Sequence, residues 1–234
     1  MSAASAGSSG TDPRSRSHEG QATGMTKHSS AAQRWDARYA DADAPLFGAA
    51  PNEYLRMVTA RSDFDARSAL CLADGDGRNG AWLARQGLTV TALDISAVAT
   101  ERALAFDRDN AVAVERLTAD LDVWTAPEGR RWDLVTLLYL QAPGSTRARA
   151  LELAAAALAP GGWLVVEAFA KAQAAQPNMG PDNPDLLYDI AELRAATPGL
   201  TVVEALEGEV HLEEGSRHRG PAQVVRFAAR RPGL

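Results

Sequence analysis

Short apolar runs recur along the middle of the chain, with helix-patterned stretches between them. Ala69–Ala73, Leu88–Leu93, Ala113–Thr118, Asp133–Leu138 and Trp163–Ala168 read as five strands, the third alternating only weakly. Asn79–Gln86 reads as a helix with Trp82 and Leu83 inward and Gly87 as its stop. Ala97–Arg108 and Thr146–Leu158 read as two more, the latter ended by Pro160-Gly161-Gly162, and a further helix is expected near Asp185–Ala195. Upstream, Trp35, Arg38 and Tyr39 fall at helical spacing from Ala31, and Pro51 opens a short helix with Tyr54, Leu55 and Val58 on one face. The chain closes on two strand-like stretches, Thr201–Leu212 and Ala222–Arg230, joined across Glu213–Gly220.

Repeated strand–helix units call for a parallel sheet covered by helices on both faces. The last two strands have no helix between them and should pair as an antiparallel hairpin. Residues 1–30 are rich in Ser, Ala, Gly and Thr without apolar periodicity, so a disordered tail is expected there, with Met25 as a candidate natural start. Residues 31–234 are expected to form one domain.

Composition narrows the class. At 46% hydrophobic and 23% charged residues the chain can bury a full core. A net charge of -6, with arginines interrupted by acids, argues against nucleic-acid and anionic-membrane partners. Cys71, the single cysteine, lies inside an apolar strand and reads as a buried structural thiol. No apolar stretch approaches the ~20 residues of a membrane span, and the N-terminus has no apolar run, so a cytoplasmic location is the expectation. No Cys/His cluster or acidic loop has metal-binding spacing, so no metal is expected.

The chemistry is expected where the strands end. In doubly wound sheets the ligand sits beyond the carboxyl ends of the strands. The first strand ends in Ala73-Asp74-Gly75-Asp76-Gly77-Arg78-Asn79. Glycines let the backbone approach a ligand, and the next helix offers unpaired N–H groups. The second strand ends in Leu93-Asp94-Ile95, where an acid roughly 20 residues past the glycine turn can accept from ribose hydroxyls. The third is followed by Asp120-Leu121-Asp122, an acid placed to accept from an adenine amine. Each acid alone is equally well a cap or turn residue.

The turn Gly75-Asp76-Gly77-Arg78-Asn79-Gly80 also matches the dinucleotide fingerprint, so a NAD(P)-dependent oxidoreductase is the rival. Against it stand the lack of a second domain, the C-terminal hairpin, and the acids Asp74 and Asp76, which repel a pyrophosphate but suit the sulfonium and ammonium of S-adenosylmethionine (SAM). A non-catalytic SAM-binding protein is the third alternative.

These segments resemble the tellurite-resistance-type class I SAM methyltransferases. The resemblance rests on Ala69–Asn79, Trp82-Leu83-Ala84 and Val90–Ser96. Trp35–Tyr39, Pro51-Asn52, Trp132–Val135, Leu158–Gly162, Gly180-Pro181 and Glu214-Gly215 with His218-Arg219-Gly220 agree with it. It implies a Rossmann-like, doubly wound seven-stranded sheet with an antiparallel C-terminal strand, SAM as methyl donor, and a small-molecule acceptor such as a chalcogen oxyanion, thiol or small organic compound. It assigns Asp74, Gly75 and Gly77 to the methionine end of SAM, Asp94 to the ribose, and Asp120 with Leu121 to the adenine. Ala73, Arg78, Asn79 and Ile95 join them as cofactor-site candidates. Cys71 and Ala73 depart from the usual first-strand acid and first glycine of the class.

Methyl transfer from a sulfonium needs positioning more than acid–base chemistry. Candidates to face the acceptor are Tyr139, Gln141, Glu167, His211 and His218; Glu167, Tyr139 and His211 are the catalytic candidates. A carboxylate on an apolar strand, as at Glu167, must be paired or face the cleft. Arg147 is a further candidate to grip an anion, or else a helix-surface ion pair.

Overall fold

The computed structural model describes residues 30–176, 179–215 and 217–233. The expected tail and Met25 lie outside the described residues. Seven strands form one sheet in the order β3-β2-β1-β4-β5-β7-β6. They are β1 (Ser68–Leu72), β2 (Thr89–Asp94), β3 (Glu115–Thr118), β4 (Trp132–Leu138), β5 (Leu158–Phe169), β6 (Thr201–Glu214) and β7 (His218–Arg230). The first five pair in parallel, and β7 runs antiparallel to both β5 and β6. This is the doubly wound sheet with an antiparallel closing strand that the pattern and the resemblance led us to expect.

Alternation along the strands makes two cores. One face of β1, β4 and β5 presents Leu70, Leu72, Val135, Leu137, Leu164 and Val166 to α5 (Gly144–Ala157) and α6 (Ile190–Ala196). The other presents Ala69, Cys71, Leu134, Trp163 and Val165 to α2 (Glu53–Thr59) and α3 (Arg78–Arg85). Each central strand is buried on both faces, as parallel strands must be. Cys71 is fully enclosed, and burial pushes its thiol up, so it is the inert core thiol expected.

Local chemistry explains where boundaries differ from the pattern. The last helix, α6, starts at Ile190 because Asp189 caps it, its Oδ1 accepting from Glu192 N at 2.6 Å. Asp185 falls instead in a 3-10 turn, Pro184–Leu186. The closing hairpin is longer than its apolar residues suggested. Its strands reach Glu214 and His218, leaving only a tight turn at Gly215.

The N-terminal helix α1 (Ser30–Ala40) packs against α4 (Ala97–Asp109) at the carboxyl edge of the sheet. Asp36 accepts from Ser96 Oγ at 2.6 Å and Val98 N at 3.2 Å at the start of α4. Arg102 of α4 donates to the carbonyls of Tyr39, Ala42 and Ala44, each at 2.7 Å. Three charge-assisted bonds from one guanidinium fix the chain that follows α1 over the glycine turn.

Candidate active site

The glycine turn sits where β1 meets α3, above the switch point between β1 and β4. Gly77 is the N-cap of α3 with φ 94, a left-handed conformation. A Cβ there would lie 2.7 Å from Arg116 Nη2 and 2.8 Å from the Ala103 Cβ. Only glycine satisfies both the torsion and the contact. Ala73 (φ 57) and Tyr139 (φ 55), which follow β1 and β4, also adopt left-handed backbone. Non-glycine residues held in this way cost on the order of 1–3 kcal/mol each and concentrate at functional sites.

A cavity of about 310 Å³ opens beside this turn. Its inner part is lined by Ala73, Asp74, Gly75, Asp76, Arg78 and Asn79 from the turn, Asp94 and Ile95 after β2, and Asp120 and Leu121 after β3. Its outer part is lined by Arg34, Trp35 and Tyr39 of α1, Phe47, Tyr139, Gln141 and His218. Thus nine of the cofactor-site candidates line one cavity. The tenth, Gly77, lies behind them, against Arg116 and Ala103.

Asp94 anchors the floor. Its Oδ2 accepts from Gly75 N at 2.8 Å and its Oδ1 from Ser96 N at 2.9 Å. Burial raises its pKa to about 6, against these two bonds, with Asp74 and Asp76 adding to the rise. Asp120 also has a local task, as its Oδ1 accepts from Asp122 N at 3.0 Å.

The other acids of the turn serve differently from the sequence-based argument. Asp74 is turned away from open solvent onto Arg116 of β3, Oδ2 accepting from Nη1 at 2.5 Å. Arg116 also grips both oxygens of Asp107 at 2.8 Å and donates to the Gly77 carbonyl at 3.1 Å. Burial pushes Asp74 up while Arg116 pulls it back. Asp76 Oδ2 accepts from Leu46 N at 2.8 Å and so ties down the segment after α1. The acids of the turn are therefore partly neutralised, and their charge is a weaker argument against a pyrophosphate than the sequence suggested. The backbone supplies a stronger one. Gly75 N–H is taken by Asp94, Gly77 N–H by the Asp74 carbonyl, and Gly80 N–H by the Asp74 carboxylate. A dinucleotide turn needs such donors for its pyrophosphate.

Two catalytic candidates do not line the cavity. Glu167 is fully buried under the cavity rather than facing it. Its Oε1 accepts from Arg226 Nε at 2.7 Å, and its Oε2 accepts from Asn52 Nδ2. His211 is exposed on the edge strand β6, beside Glu213 and away from the cavity, because its position in the alternation of β6 faces solvent. Tyr139 and Gln141 line the cavity, as does His218. Arg147 is a buried strut, not a surface pair: it binds Glu192 at 2.8 Å and the Ala142 carbonyl at 3.0 Å.

The sequence did not disclose the buried polar clasp beside the glycine turn. Asn52 caps α2, its Oδ1 accepting from Leu55 N at 2.9 Å. Its Nδ2 donates to Glu167 and to Glu214 Oε1, the latter at 2.9 Å, and its N–H to Asn79 Oδ1 at 2.8 Å. Glu214 Oε2 accepts from Arg78 Nη2 at 2.5 Å, and Arg78 donates to the Ala50 carbonyl at 3.0 Å. Gly48 and Gly215 touch here: a Cβ on Gly215 would meet Gly48 N at 2.5 Å. The glycine turn, the N-terminal segment and the closing hairpin are thus locked together. The Pro51-Asn52 and Glu214-Gly215 pairs were the visible trace of this lock.

Residues 69–162 match a family model described as a methyltransferase domain. No curated protein matches the chain. Among solved structures, it is similar to one on the conversion of a disulfide bond into a thioacetal group during echinomycin biosynthesis. That match has 19% identity and a TM-score of 0.67, over 86% of this chain and 91% of that one. It is similar to the N-methyltransferase NodS from Bradyrhizobium japonicum WM9 in complex with S-adenosyl-l-homocysteine (SAH), at 17% identity and a TM-score of 0.65 over 86% and 98%. It is also similar to TehB from Haemophilus influenzae, at 15% identity and a TM-score of 0.59, over 76% of this chain and 61% of that one. At these identities the structural likeness shows the class I methyltransferase fold. Among the described residues no helix is long and apolar enough to cross a membrane. Over this segment, under half of its length, the chain is similar to a methyltransferase domain, and its fold is that of SAM-dependent methyltransferases.

Proposed function

We propose that the chain transfers a methyl group to a small molecule, with SAM held by Ala73–Asn79, Asp94-Ile95 and Asp120-Leu121, and that residues 31–234 form the single domain that does so. The observation that carries this reading is the placement of Asp94. Its carboxylate lines the cavity, fixed by two backbone N–H groups, at the strand end where a ribose would lie. The residues present fit such a cofactor. Asp94 can accept from two hydroxyls through its remaining lone pairs. Leu121 and Ile95 offer apolar flanks for a purine, and Asp120 lies beside them. Gly75 (φ 58) lies against the Tyr39 hydroxyl, which stands where a Cβ would be, so the turn admits only glycine there. When bound, SAM supplies a methyl carbon already activated by its sulfonium. The chain's own residues position the acceptor and exclude water, with Tyr139, Gln141 and His218 on the acceptor side. Within the class, the motif segments from Trp35–Tyr39 through His218-Arg219-Gly220 favour tellurite-resistance-type relatives.

Calorimetry tests the reading. SAM is expected to bind, and Asp94→Ala to weaken it by roughly 1.5–3 kcal/mol, the value of hydrogen bonds to a charged group. An unchanged dissociation constant in the folded variant rejects the assignment, and binding of NADH in place of SAM rejects the whole reading.

The pH dependence follows from the same carboxyl. The ionised form of Asp94 accepts the ribose hydroxyls, and burial holds its pKa at about 6 before binding. A proton must therefore leave below that pH. Affinity for SAM should be flat above about pH 7 and fall by up to about tenfold per unit below about pH 6. A titration from pH 5 to 8 showing constant affinity contradicts this.

A further inference from the structure

We propose that the outer end of the cavity binds an aromatic carboxylate, with its ring against Trp35, Phe47 and His218 and its acid group between Arg34 and Arg38. The proposal rests on the reading that the inner end holds SAM.

The two ends of the cavity have opposite character. The inner end carries Asp76, Asp94 and Asp120. Two arginines of α1 stand at the outer end. Arg34 lines the cavity, and Arg38 lies one helical turn further along the same face of α1. The Arg38 guanidinium lies 5.3 Å from the centroid of the Trp35 ring, itself a cavity wall. Among the described residues, neither of these two has a carboxylate within ion-pair distance. The enclosed arginines Arg78, Arg116, Arg147 and Arg226 each have one. In a chain of net charge -6, gathering uncompensated like charges is unfavourable unless an anion joins them.

The wall beneath the arginines is aromatic. His218 packs at 4.7 Å from Phe47 and 4.4 Å from Tyr139 between ring centroids, with Phe169 edge-on behind at 5.2 Å. Flat rings at these spacings suit another flat ring. Burial, then Arg78 and Arg38, lower the His218 pKa to about 3, so the imidazole is neutral in the cell's pH range. It therefore adds surface and hydrogen-bonding capacity without adding charge. Its Nδ1 and the Tyr139 Oη are buried in this wall with no partner. Such atoms cost about 1–3 kcal/mol each when left unpaired. A simple inorganic anion would satisfy the arginines and leave the aromatic wall unused.

The test is calorimetric titration of the SAH-loaded protein with benzoate and salicylate, and with their neutral amides. The acids are expected to bind at least tenfold more tightly than the amides, and to weaken as salt rises. The double variant Arg34→Gln/Arg38→Gln should lose at least tenfold for the acids and little for the amides. Both positions are exposed on α1, so the fold should survive. Equal binding of acids and amides, no binding of either acid, or undiminished acid binding by the variant overturns the proposal. The SAH titration is recorded first. If SAH does not bind, the cofactor reading has failed on its own, and the same titrations on the ligand-free protein still decide the aromatic-acid site.

Discussion

Replacing Arg116 by Ala is expected to lower stability by about 3–5 kcal/mol, the usual cost of stranding buried charges. Two carboxylates would be left. Asp74 and Asp107 are each under a tenth exposed, and Arg116 is their common partner. The loss would also reach the cavity, because the same guanidinium holds the Gly77 carbonyl at the start of α3. SAM affinity should therefore fall together with stability. Urea unfolding provides the measurement. A change under about 1 kcal/mol would mean that water replaces the guanidinium, contrary to the burial seen. The triple change Arg116→Met with Asp74→Asn and Asp107→Asn should recover much of the loss, since it removes the charges along with their partner.

The second large effect is expected at Asn52. Asn52→Ala removes the α2 cap, worth about 1 kcal/mol, and leaves Glu167 and Glu214 each short of a donor. With about 1–3 kcal/mol for each of the two deprived carboxylates, a loss of about 3–7 kcal/mol is expected. Asn52→Asp separates the two contributions. It keeps the cap oxygen but sets a third carboxyl against two others. Like-charge crowding raises the pKa of the introduced carboxyl in the folded state. Its protonated form is then favoured by folding, so the variant should lose stability as pH rises from about 4 to 8 relative to wild type. A variant whose deficit is the same across that range would show that the cap alone matters.

Much of the sheet could be read from periodicity because β1, β4 and β5 are short apolar runs ended by glycine or polar turns. The acids after β2 and β3 were legible for a related reason: topology fixes where strand ends lie. Arg116 was hidden. It stands in a weakly alternating strand, and its partners come from the glycine turn and from α4, a meeting that only the fold creates. Glu167 shows the same limit from the other side. Its cost in an apolar strand was evident, and it is indeed paired. Its partners Asn52 and Arg226 are 115 and 59 residues away, however, so the sequence pattern offered the cleft as readily as the clasp. His211 sat beside a recognisable motif, but the face it occupies depends on the register of β6 against β7.

The Gly48–Gly215 contact and the Asn52–Glu214 bond have a consequence for synthesis. They join segments 162 or more residues apart, so one half of the clasp leaves the ribosome long before the other. Until the hairpin emerges, Arg78 lacks its carboxylate, Asn52 lacks one of its two, and the cavity lacks the His218 wall. The nascent chain can form β1 to β5 in order, yet a competent site must wait for the last strands. Newly made, partly translated chains should therefore be unable to sequester the methyl donor, and its capture becomes a mark of completed folding.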